Sequence, residues 1–444
     1  MNRRTFLTGT GLAATAGLIA ACRGEPDVEP GIKPEAPPSR GEDSSQAQDW
    51  AWVRSQFALR PDQIHLSALL VASHPRCVRE AIDQFRRNLN EDPVAYLERE
   101  NNRRKREVRV EAAKYLGVDA DDVALTDSTT MGLGLVYNGF RLHPGQEMLT
   151  TEHAYYATHE SLRVAAARTG ATLRKVVLVE RPETTTEEEI VARIVQALRS
   201  NTRVLALTWV HSSTGLKLPM HAIHEAVNEI NAERDEEDRI LLCLDGVHGL
   251  GVEDVAMDDL GCDFFMAGCH KWLFGPRGTG IVWGRPEAWA ATRPTIPSFM
   301  DDASWTAWGT EEDPAGPTNA TRMSPGGFKA FEHQWAAEAF RFHQQIGKAR
   351  VAERTHTLNR QLKEGLDAMP HVALYTPLSE RLSAGIVCFG IEGWSPEDVV
   401  SRLRKQNIIA TTTPYAVSYA RLTPSIINTP EEIDTALRAV HELA

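Results

Sequence analysis

Gly268-Cys269-His270-Lys271-Trp272-Leu273-Phe274-Gly275-Pro276 sets one lysine between an apolar stretch, Cys262 to Ala267, and a glycine-proline turn. Upstream, Leu241-Leu242-Cys243-Leu244-Asp245-Gly246-Val247-His248 closes an apolar strand pattern on an acid. A lysine amine in apolar surroundings can form an imine with an aldehyde, and a buried carboxylate can pair with a pyridinium nitrogen. A buried Asp needs such a partner, because an unpaired carboxylate inside a protein is costly. Together Asp245 and Lys271 point to pyridoxal 5'-phosphate (PLP). Asp245 would keep the pyridine ring an electron sink. Lys271 would hold the cofactor as an imine, give it up to a substrate amine, and then move protons at Cα.

Four further clusters follow strand-like segments. Asp127-Ser128-Thr129-Thr130-Met131-Gly132-Leu133-Gly134 opens a helix, so its hydroxyls and free N–H groups form a phosphate cup. His270, beside the lysine, can donate to the same phosphate. Glu152-His153-Ala154-Tyr155-Tyr156 offers a flat ring to stack on a pyridine, and spacing leaves His153 and Tyr155 equally placed. Trp209-Val210-His211-Ser212-Ser213-Thr214-Gly215 can bring the Ser212 hydroxyl near the phenolic oxygen, which His248 can also approach. Arg421, in Tyr419-Ala420-Arg421-Leu422-Thr423-Pro424, carries a guanidinium suited to grip a substrate carboxylate bidentately.

The elements that must position these groups alternate between strand and helix from about 108 to 285. Strands are predicted at 123–125, 147–150, 173–179, 204–210, 240–244 and 264–267, with helices between them at 130–140, 161–169, 186–198 and 220–231. Such alternation predicts a largely parallel sheet with helices on both faces, and ligands in such sheets bind at the carboxyl ends of strands. Short strands at 372–375, 385–389, 408–411 and 418–422, with helices at 396–406 and 430–443, predict a smaller α/β unit. Thr429 is the expected N-cap of the last helix, with Pro430 in its first position. The domain reading is 47–84 as a segment joining the small domain, 85–329 as the large cofactor-binding domain and 330–444 as the small one.

The amino terminus reads as an address. Arg3-Arg4-Thr5-Phe6-Leu7 is a twin-arginine pattern, Gly9 to Ala21 is too short to span a bilayer, and Leu18-Ile19-Ala20-Ala21-Cys22 matches a lipoprotein cleavage site. Residues 1–22 are therefore read as a signal with Cys22 as the lipidated residue, and 23–46, rich in Pro, Glu, Gly and Ser, as a tether. This predicts export by the twin-arginine route and anchoring to a membrane on its periplasmic or outer side. A net charge of -12 speaks against a nucleic-acid partner. The six cysteines contain no CxxC pair and the histidines lack ligand spacing, so no metal site is predicted.

The chain resembles the class V aminotransferase family of PLP fold type I, in its isopenicillin N epimerase-like branch alongside the cysteine desulfurases. The resemblance runs from about 60 to 440. It rests on Ile64-His65-Leu66-Ser67 with His74-Pro75, on Asp127 to Gly132, on Leu142-His143-Pro144-Gly145-Gln146-Glu147, on Asp245 with His270-Lys271, and on the stretch from Arg421 to Glu432. It implies that Thr129, the Thr130 amide and His270 hold the phosphate, that Asp245 pairs with the pyridine nitrogen, and that Lys271 carries the cofactor. Ser212 falls where relatives often place an asparagine, His248 where desulfurases carry a glutamine, and Gly268 where many relatives have a phosphate-binding serine. The family is usually dimeric, which makes Ser324 and Gly326, in Ser324-Pro325-Gly326-Gly327-Phe328, candidates to reach a neighbouring subunit's phosphate.

Desulfurases use a mobile cysteine in the loop before the last arginine-bearing strand. Here that loop reads Thr411-Thr412-Thr413-Pro414-Tyr415-Ala416-Val417, without a thiol. The expectation is chemistry at Cα of an amino acid or related small-molecule amine, by transamination or epimerisation, with C–S or β-elimination as the alternative. Epimerisation needs acid–base groups on both faces, and His211, Tyr155 and Tyr415 are candidates for the second. A non-catalytic lipid-anchored binding protein on the same fold is the other alternative; it would be favoured by damage to Lys271 or Asp245, and both are intact.

Overall fold

A computed structural model of the chain describes residues 46–310, 312–327 and 336–444. The signal with Cys22, the tether up to residue 45, and Phe328 lie outside the described residues. The first strands in chain order are β1 (Ile64–His65), β2 (Val123–Thr126), β3 (Glu147–Thr151), β4 (Thr172–Val176), β5 (Thr202–Thr208), β6 (Leu241–Asp245), β7 (Phe264–Gly268) and β8 (Gly280–Gly284). Then follow β9 (Val372–Leu374), β10 (Val387–Ile391), β11 (Ile408–Ile409), β12 (Thr411–Thr412) and β13 (Ala420–Leu422).

The large sheet has seven strands in the order β2-β8-β7-β6-β5-β3-β4. Strand β8 pairs antiparallel with both β2 and β7, and every other pairing is parallel. The central strands are continuous apolar runs because both their faces are covered. Leu205, Leu207, Leu242, Leu244, Phe265 and Ala267 point into one core. Their neighbours Val204, Ala206, Leu241, Cys243, Phe264 and Met266 point into the other. This places the carboxyl ends of β5, β6 and β7, with their polar continuations, along one edge of the sheet.

The smaller sheet is antiparallel, ordered β12-β13-β10-β9. Its core is built from Val387, Phe389, Ala420 and Leu422 against Leu358, Leu362 and Leu366 of the helix Lys348–Asp367 and Ile433, Ala436 and Val440 of the helix Pro430–His441. That last helix starts as its sequence predicts, with Thr429 accepting from the Glu432 amide and Pro430 in the first turn. The amino-terminal segment joins this unit: β1 pairs in parallel with β11, and Ser67 bridges to Thr423.

The helices at both expected domain boundaries pack on the large sheet instead. The helix Arg76–Glu91 buries Val78, Ala81, Ile82 and Phe85 in its core, and the helix Ala336–Ile346 adds Ala336, Ala337, Ala339 and Phe340. The reading that ended the joining segment at 84 and began the small domain at 330 therefore shifts to about 75 and 348. The reason is burial: the large core covers an apolar stripe of each helix, and Phe342 and Ile346 of the second pack beside it against Phe57, Phe274 and Val351.

The two units meet at the turn after β5. Thr376 Oγ1 donates to the Thr214 carbonyl at 2.6 Å, and the Lys217 amide donates to the Leu382 carbonyl at 2.9 Å. Gly215 sits between them at φ 77°, and a Cβ there would lie 2.3 Å from the Ile386 carbonyl oxygen. Only glycine accepts both that backbone and that contact. Gly215→Ala is expected to cost more than about 2 kcal/mol, read as a lower urea midpoint, because it combines left-handed strain with a main-chain clash.

Candidate active site

Asp245 is the last residue of β6 and is almost fully buried at 3 % exposure. Its Oδ1 accepts from the Val247 amide at 3.2 Å, and its carbonyl accepts from Trp209 at 2.9 Å. Lys271 enters from the neighbouring β7 through a tight turn in which the Phe274 amide donates to the Lys271 carbonyl at 2.9 Å and the Gly275 amide to the Cys269 carbonyl at 2.7 Å. Phe274 takes φ 58°, a left-handed conformation unfavourable for a bulky side chain. Its ring is held edge-on by Phe57 at 5.0 Å and lies 5.9 Å from His343. The Ala72 amide donates to the His270 carbonyl at 3.1 Å. Packing from distant parts of the chain thus fixes the turn that presents the lysine.

Asp245 and Lys271 line one cavity of about 170 Å³, together with Leu69, Leu70, Ser128, Thr129, Thr130, Tyr155, Thr208, Ser212, His248, His270, Pro414 and Arg421. Burial draws the Lys271 amine down to about 8; Arg421 pushes the same way and Asp245 opposes. Burial also pushes the Asp245 carboxyl up to about 6, against the Val247 amide and Lys271. His270 is drawn down to about 4, by burial first and then by Lys271 and Arg277. His248 lies well below its usual range because it is buried and faces Lys271, Arg421 and His270. Burial therefore shifts the lysine toward its free-amine form, the form that acts as nucleophile or base, although the ammonium still predominates at pH 7.

One end of the cavity is built for an anion. The helix Thr129–Gly139 begins there, with Ser128 as N-cap accepting from the Met131 amide at 3.1 Å. Its first amides, those of Thr129 and Thr130, have no acceptor within the helix. Thr129 Oγ1 accepts from the Gly268 amide at 2.8 Å, and a Cβ on Gly268 would stand 3.0 Å from the His270 ring and 3.1 Å from Thr129 Oγ1. The position where relatives carry a serine is thus filled from either side by His270 and Thr129. Buried His270 Nδ1 and Thr208 Oγ1 have no partner among the described residues, and buried polar atoms of this kind mark places where a ligand or water completes the bonding. Helix amides, unpartnered polar atoms, a low-lying lysine and one buried acid are a donor set that fits PLP. Thr129, Thr130 and His270 suit its phosphate, Asp245 its ring nitrogen and Lys271 its aldehyde.

Arg421 on β13 closes the opposite side. Its Nη1 donates to the Ser212 carbonyl at 2.7 Å, Nε to Thr411 Oγ1 at 3.0 Å and Nη2 to the Thr412 carbonyl at 3.1 Å. Among the described residues no carboxylate pairs with it, so a buried cation is held only by neutral acceptors. The same Ser212 bonds through Oγ to the Tyr415 hydroxyl at 2.7 Å, and the Tyr415 ring stands edge-on to Tyr155, centroids 6.2 Å apart. The Ser212 hydroxyl is thereby turned toward the small domain.

The structure separates the two stacking candidates. Tyr155 lines the cavity; His153 does not, because its Nε2 accepts from the Val179 amide at 3.3 Å and its ring lies 5.6 Å from that of His211. His211 lies behind the wall too, and burial draws it down to about 3, which removes it as a proton carrier on the second face. Ser324 has an internal role: its hydroxyl donates to the Ala320 carbonyl at 2.9 Å and accepts from the Leu125 amide at 3.1 Å. Gly326 is locked by its amide to the Pro297 carbonyl at 2.7 Å. Neither leaves a free donor for a neighbouring subunit's phosphate. Sequence reasoning passed over Trp272, whose indole reaches His248, and Thr208, which falls inside the strand predicted at 204–210 and is the last residue of β5.

A larger groove of about 540 Å³ opens elsewhere, among Arg203, Glu236, Arg239 and Asp263. There Arg239 pairs with Glu236 at 3.7 Å and Asp263 accepts from the Leu242 amide at 2.7 Å, and no lysine joins an acid among the described residues of its lining.

Residues 71–435 match the family model described as aminotransferase class-V. Among curated proteins the chain is 28 % identical over 413 residues to the isopenicillin N epimerase of Streptomyces clavuligerus, covering 89 % of this chain and 98 % of that one. It is 27 % identical over 374 residues to a cysteine desulfurase of Klebsiella pneumoniae (strain 342), covering 78 % and 85 %. Among solved structures, a C-DES mutant with glycine covalently linked to its PLP cofactor superposes with a TM-score of 0.76 at 21 % identity, over 88 % of this chain and 99 % of that one. The apo cysteine desulfurase of Thermococcus onnurineus NA1 gives 0.74 at 20 % identity, over 88 % and 97 %. These likenesses establish the fold.

Folded Asp245 keeps its proton up to about pH 6, whereas an unfolded aspartate loses it near 3.8. Its contribution to the stability of cofactor-free protein is therefore complete below about 3.8 and is lost as pH rises through about 6. Asp245→Asn should match the wild type at pH 4 and exceed it by on the order of 2 kcal/mol at pH 7, as thermal or urea unfolding of the cofactor-free proteins will show. Added PLP should reverse that order at pH 7.

Proposed function

The chain belongs to the aminotransferase class-V family, and from that membership we propose that this PLP-dependent enzyme transfers a proton at Cα of an α-amino acid, as an aminotransferase or epimerase. When bound, PLP supplies an electron sink that stabilises negative charge at Cα. The protein's own residues supply the rest. Thr129, the Thr130 amide and His270 would hold the phosphate. Asp245 would pair with the ring nitrogen, which would give its buried carboxylate a partner. Arg421 takes the substrate carboxylate bidentately and so fixes Cα over the cavity floor. Lys271, whose amine burial shifts toward the unprotonated form, would take or return the Cα proton. Leu69, Leu70 and Tyr155 give the cavity an apolar wall.

The carrying observation is Arg421. A buried guanidinium without an acidic partner, sharing a cavity with Lys271 and only one carboxylate, is a place reserved for an anion. Persulfide chemistry of the desulfurase kind finds no support in the described thiols. Cys77, Cys243, Cys262, Cys269 and Cys388 are all raised by burial, and Cys388, opposite Arg421 in the β10–β13 register, reaches about 12.

Leu70 and Val71 stand exposed at and beside the cavity, which supports a second copy of the chain covering the site. The twin-arginine pattern and the small residues before Cys22 support export and lipid anchoring on the far side of the cytoplasmic membrane.

The test is Cα–H exchange. Holoenzyme incubated in D₂O with single amino acids should wash deuterium into Cα of its substrate, followed by NMR. A keto acid accompanies transamination, the opposite enantiomer epimerisation, and pyruvate elimination. Absence of exchange for every α-amino acid would sink the proposal. Borohydride reduction should leave the pyridoxyl label on Lys271, and Lys271→Ala should abolish exchange. Arg421→Ala should raise KM for the amino acid by at least about tenfold, the worth of a charge-assisted hydrogen bond, with a smaller effect on the matching decarboxylated amine. In cells, labelled palmitate should enter the wild-type chain and not Cys22→Ala.

A further inference from the structure

The lysine has a second neighbour whose protonation state can be worked out from its other contact. The Trp272 indole N–H donates to His248 Nδ1 at 3.3 Å, and His248 Nε2 lies 3.5 Å from Lys271 Nζ. Trp272 is 1 % exposed and His248 5 %, so water does not compete for the indole bond, while the contact with Lys271 lies at the cavity wall. An indole nitrogen donates and never accepts. His248 Nδ1 must therefore be the bare, accepting nitrogen, and the neutral ring carries its proton on Nε2. That N–H points at the lysine nitrogen. A free amine offers it a lone pair, whereas an ammonium would set N–H against N–H. A doubly protonated His248 would meet the same conflict at the indole.

The indole is itself held rigidly. A Cβ on Gly385 would fall 2.5 Å from the far edge of its ring, and one on Gly251 2.6 Å from the Trp272 carbonyl carbon. The ring is thus pressed against main chain on the small-domain side. Because Trp272 immediately follows Lys271, the residue that sets the tautomer travels on the same turn as the residue that responds to it.

We propose that Trp272 is a positioning residue for Lys271, acting through His248: its N–H locks His248 as the Nε2–H tautomer, and that tautomer favours the free amine of the lysine. The other ionisable groups facing Lys271 are Asp245 from β6, which favours the ammonium, and Arg421 from β13, which disfavours it; His270 is its neighbour in the chain. The His248 contact adds to Arg421 and counters Asp245. This inference rests on the reading of Lys271 as the reacting amine.

Two measurements on cofactor-free protein test it. Long-range ¹⁵N–¹H correlation spectra of histidine-labelled protein, with His248 assigned by its disappearance in His248→Gln, should show the proton on Nε2 between pH 7 and 8. Competitive acetylation with peptide mapping should give the titration midpoint of Lys271, and Trp272→Phe should raise it by about one unit, since the freed ring can then turn its lone pair toward an ammonium. The same variant should lose the single-tautomer signature. A proton on Nδ1 in the wild type overturns the proposal, as does a Trp272→Phe variant with tautomer and midpoint unchanged. If Trp272→Phe fails to fold, the wild-type tautomer decides alone. If PLP and borohydride leave Lys271 unlabelled in the wild type, the functional reading falls, whereas the tautomer measurement still stands.

Discussion

Two opposite charges are buried in one cavity and kept from closing on each other. Asp245 ends β6 and Lys271 follows β7, neighbours in a parallel sheet, yet no ion pair joins them among the described residues. Left alone, each would lose its charge to burial, and both shifts run in that direction. What prevents collapse is rigidity. The Val247 amide holds the carboxylate, and His248 with the Phe274 turn holds the lysine. The space between is where a charged heterocycle relieves both. Stability is given up locally so that binding can recover it.

Around that gap the two units act as one device. The turn after β5 gives Ser212 to both Tyr415 and Arg421, and Gly215 lets the small sheet come close enough for those bonds. Anything that moves the small unit moves the guanidinium relative to the lysine. The bonds that seat the guanidinium and the bonds that join the two units are accordingly one set.

Much of this was legible in the sequence, for a definite reason. Strands buried on both faces must be continuous apolar runs, so the polar residue that ends such a run is visible, and Asp245, Ser212, Thr129 and Lys271 all stand at such ends. What spacing could not show is direction after the strand ends. His153 and Tyr155 differ by two residues in one turn, and only the path from Thr151 into the helix Tyr156–Thr169 sends the histidine to the Val179 amide and the tyrosine to the cavity. Ser324 had the right chemistry but its bonds were already taken by Leu125 and Ala320, a partnership across about two hundred residues that no local pattern encodes. The antiparallel β8 and the allegiance of the helix Ala336–Ile346 were hidden likewise, because short apolar segments do not announce which core will cover them.

The left-handed Phe274 has a bearing on the order in which the molecule is made. Its turn closes against Phe57 and His343, which leave the ribosome near the beginning and in the last quarter of synthesis. A chain still lacking the helix Ala336–Ile346 already possesses Lys271 but not the walls that keep its turn in shape. Reactivity therefore arrives with completion: the amine that could attack any passing aldehyde is poised only once nearly the whole polypeptide has been delivered.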